Sequence, residues 1–125
     1  MAEGIAREGF DIDLRHGLAR EDALVDVFLK AKVEHKCDEK ARRTGNLFIE
    51  YRQKGRPSGI AVTTADWWAF EFDDETWLIV PTEKLKRLAR LAYQQNRRAK
   101  GGDNNLYEGV LLPTEWLVRP MRLRE

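Results

Sequence analysis

Two periodicities run through this chain, and they divide it into strands and helices. Phe10, Ile12 and Leu14 alternate with Asp11 and Asp13, the pattern of a short half-buried strand or an extended arm. From Leu18 to Leu29 the spacing turns helical: Leu18, Ala23, Leu24, Val27 and Phe28 form an apolar stripe, with Arg20, Glu21, Asp22 and Asp26 largely on other faces. Alternation returns in Val33, His35 and Cys37 against Glu34, Lys36 and Asp38, and again in Ile49 and Tyr51 against Glu50 and Arg52. These two runs predict a hairpin whose polar turn spans Asp38–Asn46, with Gly45-Asn46 supplying residues that tolerate positive φ.

A Gly/Pro loop at Gln53–Gly59 and a short β-prone stretch at Ile60–Thr64 follow. Trp67–Phe72 and Thr76–Val80 read as strands around an acidic turn, Asp73–Glu75. Thr82 suits an N-cap, and Leu85, Leu88, Ala89, Leu91 and Ala92 predict a helix over Glu83–Ala99 that ends at Gly101-Gly102. Tyr107–Leu112 predicts a last strand, and Glu115–Val118 a short turn or helix. The order is helix, strands, long helix, strand. It implies an α+β (or α/β) domain with a helix packed on each side of a mixed sheet, spanning residues 1–125 with loose ends at 1–9 and 119–125.

Composition narrows this picture little. The 125 residues are 42% apolar and 34% charged, enough for one core beneath a heavily charged surface. Cys37 is the single cysteine, so no internal disulfide framework exists and a reducing cytoplasm suits the chain. No run approaches the roughly 18 apolar residues of a membrane span, and the acidic N-terminus lacks the apolar core of a secretory signal. A cytoplasmic protein without a membrane partner is expected.

Charge matters more through its placement than through its net value of +1. In a strand, alternate side chains share a face, so Glu34, Lys36 and Asp38 lie together, as do Glu50 and Arg52. If the two faces coincide, three carboxylates and two cations meet in a small volume. Two or three carboxylates can hold Mg²⁺ (or Mn²⁺), which neutralises a phosphoryl group and activates water. A lysine beside them, here Lys36, can orient that water or stabilise developing charge. Glu21 could add a further ligand from the preceding helix. The ordinary alternative is a solvated sheet face, since charged alternation is common there.

The helix from Lys84 onward carries Lys84, Lys86, Arg87, Arg90, Arg97, Arg98 and Lys100 with no acid after Glu83. Together with Arg42, Arg43, Arg52, Lys54 and Arg56, these cations would grip phosphates without reading sequence. Their alternative is likewise a solvated helix face. His35 is better read as a packed or edge histidine than as a ligand. Cys37 beside it makes no zinc site without a second Cys/His pair.

The run from Val33 to Phe70 resembles small phage and prophage proteins of the PD-(D/E)XK nuclease-like superfamily. The resemblance rests on Glu34-x-Lys36-x-Asp38, Thr44-Gly45-Asn46 leading to Ile49-Glu50, Ser58-Gly59-Ile60, and Ala65-Asp66-Trp67-Trp68. Val80-Pro81-Thr82 and Gly101-Gly102-Asp103-Asn104 add to it, so that it spans roughly residues 10–117. It implies a restriction-endonuclease-like core, with a central mixed β-sheet flanked by two helices, and metal-dependent hydrolysis of DNA. The metal acids would fall on Asp38 and Glu50, the helical acid on Glu21. The second motif wants lysine two residues after its acid, whereas Arg52 stands there, and arginine cannot act as a base at neutral pH. Lys36 would take over that role and Arg52 would contact phosphate. A competing assignment makes Glu34-His35-Lys36 the acid-x-lysine motif, with Glu34 as ligand and Asp26 or an earlier aspartate as partner. A catalytically inactive DNA-binding or protein-interaction module on the same fold stays open, as does a homodimer. A phage-encoded protein would act in the host cytoplasm.

Overall fold

In the computed structural model of the chain, residues 17, 20–22, 24, 25 and 29–119 are described. The chain divides into two compact units, Met1–Lys32 and Val33–Glu125. In the first unit, the described positions between 17 and 29 are helical, as their apolar spacing predicts. The strand or arm expected at Phe10–Leu14, the alternative partner Asp26 and the tail beyond residue 119 lie outside the described residues.

The second unit runs β1 (Val33–Cys37), α1 (Glu39–Thr44), β2 (Asn46–Gln53), β3 (Arg56–Pro57), a 3-10 turn at Gly59–Ala61, β4 (Trp67–Asp73), β5 (Thr76–Pro81), α2 (Thr82–Gln94), β6 (Arg98–Gly101), a 3-10 turn at Asp103–Asn105, β7 (Tyr107–Pro113) and α3 (Thr114–Val118). This is an α+β architecture. In place of one central mixed sheet, these strands form two open sheets, ordered β1-β4-β5 and β3-β2-β7-β6. The first is mixed, with β1 parallel and β5 antiparallel to β4. The second is antiparallel throughout.

The expected hairpin of Val33–Cys37 with Asn46–Arg52 does not form. β1 pairs with β4, placing Glu34 beside Trp68 and Lys36 beside Phe70, and β2 pairs with β7 in the other sheet. What looked like a polar turn is helix α1. Asp38 caps it, Glu39 lies in its first turn, Arg42 and Arg43 lie in its last, and Gly45 closes it at φ 74°. Each residue complements the helix ends, whose exposed N–H groups favour acids and whose carbonyls favour cations and a left-handed glycine.

One core serves both sheets. Leu47 and Ile49 of β2, Trp68 and Phe70 of β4, Leu85 and Ala92 of α2, and Val110 and Leu112 of β7 belong to a single buried cluster. The predicted α2 stripe is buried at Leu85, Leu88, Ala89 and Ala92, whereas Leu91 is exposed. The helix ends at Gln94 rather than Ala99, because Asn96 turns left-handed at φ 58° and the chain re-enters a sheet as β6. Arg98 and Lys100 therefore lie on a strand and Arg97 on the connection before it. Thr82 is the first helical residue rather than the cap. Its hydroxyl donates to the Ala65 carbonyl at 2.7 Å.

Candidate functional site: a groove lined by Lys36, Asp38 and Glu50

Strand β2 has two chemically different sides. Leu47, Ile49 and Tyr51 point toward the core, as alternation requires. Asn46, Phe48 and Glu50 line a groove of about 820 Å³ on the opposite side. Lys36, Asp38 and Lys40 reach the groove from β1 and α1, Trp68 from β4, and Lys100 and Gly101 from β6. Lys36, Asp38 and Glu50, which the sequence placed on one hairpin, thus line one concave surface through a different topology.

The two carboxylates stand in contrasting states. Asp38 accepts from three backbone donors. Its Oδ1 accepts from the N–H groups of Lys40 at 3.1 Å and Ala41 at 3.2 Å, and its Oδ2 accepts from Phe48 N–H at 3.0 Å. A carboxylate offers about four lone-pair positions, so three of them hold helix and strand. Glu50 is half-buried and, among the described residues, accepts no hydrogen bond and forms no ion pair. Its backbone is aimed by two local devices. The β2–β7 register shifts between Glu50 and Arg52, the mark of a bulge, which bends a strand and re-aims its side chains. Gly59 packs against it so closely that a Cβ there would lie 2.2 Å from the Glu50 carbonyl oxygen.

Lys36 is held by two contacts. Its Nζ lies 3.2 Å from Glu34 Oε1 and 5.5 Å from the centre of the Trp68 ring. Glu34 and Lys36 thus share a face, as predicted, and form an ion pair. Trp68 is 2% exposed, and its buried indole N–H finds no acceptor among the described residues. Glu21 is an exposed position in the helical stretch of the first unit. Among the described residues, no three His, Cys, Asp or Glu side chains gather as a metal-holding cluster. Mg²⁺ keeps several waters and commonly takes only one or two carboxylates plus substrate phosphates. A metal held by Glu50 and the remaining acceptor position of Asp38 would take that smaller donor set.

The cations divide between structural and free. Arg97 is a structural residue. It donates from Nε to the Leu111 carbonyl at 2.9 Å and from Nη2 to Asn46 Oδ1 at 3.1 Å, and it sits 5.8 Å over the Trp116 ring. Its expected place in a phosphate grip is corrected accordingly: the guanidinium ties the end of α2 to β2 and β7. Lys84, also counted on the basic face, donates to the Leu117 carbonyl at 2.9 Å. Arg52 pairs with Glu108 at 3.6 Å, and Arg98 stacks on Tyr93 at 4.7 Å. Arg42, Arg43, Lys54, Arg56, Arg87 and Arg90 are exposed, and Lys86 is half-buried.

No protein-family model, curated protein or solved structure matches this chain. No helix among the described residues is long and apolar enough to cross a membrane. On the outer face of the first sheet, His35 Nε2 lies 3.1 Å from Glu71 Oε2 and its ring 5.1 Å from that of Trp77. It is an edge histidine held by a carboxylate and an indole, with Cys37 exposed next along the same face.

Sequence reasoning missed two contributors to the groove. Helix α1 supplies Lys40, and its cap-to-cap pattern from Asp38 to Gly45 was a readable signal. Strand β6 supplies Lys100 and Gly101, and only the left-handed Asn96 hints that the helix stops early.

Proposed function

We propose that this protein is a metal-dependent nuclease that hydrolyses DNA phosphodiester bonds in the groove lined by Lys36, Asp38 and Glu50. The observation that carries the reading is the unpartnered, half-buried Glu50 carboxylate, aimed by a bulge into a groove that Lys36, Lys40 and Lys100 also line. Its carboxylate makes no hydrogen bond or ion pair among the described residues, so its acceptor positions are open to a ligand, and lysines around it suit an anionic substrate. Glu50 would hold Mg²⁺ or Mn²⁺, with Asp38 offering its one remaining acceptor position. A bound metal of this kind supplies charge neutralisation at the phosphoryl group and a more acidic water. Lys36, drawn toward Glu34 and Trp68, would stabilise charge on the phosphoryl oxygens. The orphaned Trp68 N–H is a further donor suited to an anionic oxygen. Arg42, Arg43, Lys54, Arg56, Arg87 and Arg90 would hold the DNA backbone.

A second reading has its own observation. Asp38 is engaged by three N–H groups, and the residue two after Glu50 is Arg52, itself paired with Glu108. Both favour a module that binds DNA without cutting it. Incubation with plasmid, single-stranded and branched DNA, with and without Mg²⁺ or Mn²⁺, separates the two. Metal-dependent cleavage lost in Glu50→Gln supports the nuclease. Salt-sensitive binding with no cleavage under any condition supports the binding module.

A further inference from the structure

A second concavity lies on the core side of β2, away from the groove. It has a volume of about 310 Å³ and is bounded by Tyr51, Ile60, Lys86, Ala89, Arg90 and Tyr93. Lys86, Arg90 and Tyr93 follow one another at helical spacing, so α2 presents two cations and an aromatic ring along one line. Below them Ile60 and Ala89 are each 7% exposed, which makes the floor apolar. Tyr51 meets Tyr93 edge to face, with ring centres 5.6 Å apart.

Charge and shape here select one kind of ligand. No carboxylate lines the hollow among the described residues. Glu83 meets Lys86 only at 3.8 Å and is itself 80% exposed, so water screens that pair and a stronger anion can replace it. Arg90 has no hydrogen-bond or ion-pair partner among the described residues. A guanidinium beside an ammonium suits a phosphate, which arginine takes through paired N–H donors. Inorganic phosphate alone would leave the apolar floor, the Tyr51 ring and the face of Tyr93 opposite the stacked Arg98 uncovered. A planar base covers them, because every base has a face that stacks on an aromatic ring. The volume stands at the small end of ligand pockets, about 300–1,000 Å³, which suits one nucleotide and no longer oligomer.

We infer that the Tyr51–Tyr93 hollow binds a nucleoside monophosphate unit, with its phosphate on Lys86 and Arg90 and its base against the tyrosines and the apolar floor. The unit can come from free nucleotide or from the phosphorylated end of a DNA strand. The inference shares the basic face of α2 with the nuclease reading but needs nothing from the groove.

The test is an amide-shift titration of the full chain with thymidine 5′-monophosphate, thymidine and inorganic phosphate. The nucleotide is expected to shift the amides of Ile60, Ala61 and Ala89 and to bind more tightly than either fragment. Arg90→Ala and Tyr93→Ala should each weaken it by about tenfold. Glu75→Gln, on the turn between β4 and β5, and Glu50→Gln should leave it unchanged. No shift of these amides up to about 10 mM nucleotide, a free energy too small for a specific site, overturns the proposal. So does equal binding of inorganic phosphate with no effect of Tyr93→Ala. A 5′-phosphorylated thymidine tetranucleotide that binds better than its unphosphorylated form assigns the site to strand ends; preference for the free nucleotide assigns it to that source. The failure of cleavage is separate, since it leaves this titration unaltered.

Discussion

Asp38 and Glu50 line the same groove, carry the same charge and stand twelve positions apart, yet their surroundings give them different work. Asp38 starts a helix and spends three acceptor positions on the N–H groups of Lys40, Ala41 and Phe48. Glu50 sits on a bulge, propped by Gly59, with no donor among the described residues. A carboxylate surrounded by amides is part of the scaffold, and removing it orphans donors. A carboxylate without partners is available to a ligand, and removing it costs the fold little. Residue type and spacing do not separate these cases; the count of occupied lone pairs does.

That contrast can be broken most directly at Glu50. Glu50→Gln should lower metal-dependent cleavage at least about a hundredfold, the loss expected with a metal ligand worth several kcal/mol in the transition state. Its thermal stability should stay within about 0.5 kcal/mol of the parent. Cleavage at the parent rate would remove Glu50 from the chemistry. Asp38→Ala should act the other way round. Losing the cap costs about 0.5–2 kcal/mol, and leaving the Phe48 N–H unpaired adds about 1–3 kcal/mol, measurable as a lower denaturation midpoint. Asp38→Asn keeps a capping oxygen and should recover most of this; if it nonetheless abolishes cleavage at near-parent stability, Asp38 is a ligand as well as a cap.

Gly59 sharpens the comparison at a smaller scale. In Gly59→Ala a Cβ would meet the Glu50 carbonyl at 2.2 Å on a backbone at φ 53°. The strain should cost about 1–3 kcal/mol and displace Glu50, so stability and cleavage should fall together, unlike in Glu50→Gln. The smallest effect lies on the other side of β2. Burial, with help from Glu108, raises the Tyr51 phenol above its ordinary value of 10.0. A raised acid stabilises the fold below the unfolded-state value, and that contribution is lost as pH climbs through the folded one. Alkaline titration of tyrosinate absorbance should therefore show one phenol ionising late, and Tyr51→Phe should flatten stability against pH above about 10. An unchanged titration in Tyr51→Phe would refute it.

Local pattern carried much of this architecture. The β4–β5 hairpin, the β7 strand and the buried stripe of α2 all follow from alternation or helical spacing. The hairpin of β1 with β2 failed because pairing is a long-range choice. A parallel β1–β4 ladder joins residues more than thirty positions apart, and nothing in either strand alone names its partner. Lys36, Asp38 and Glu50 do line one groove, but because β1 runs into α1 and not because they share a turn. Arg97 shows the converse limit. In sequence it is one more cation in a basic run, and only the Leu111 carbonyl and the Asn46 amide reveal it as internal.

The Asp38 side chain also has a consequence for how the molecule assembles. Helix α1 is 6 residues long, far below the length at which an isolated helix holds in water. One oxygen of Asp38 starts that helix, and the other grips the second strand ten positions later. Winding of α1 and docking of β2 are thereby parts of a single event, and neither is complete without the other. The amides of Lys40, Ala41 and Phe48, all bonded to one carboxylate, should therefore exchange with solvent together. A mutation that melts α1 would loosen the strand that carries Glu50, so that wall of the groove is only as rigid as this six-residue helix.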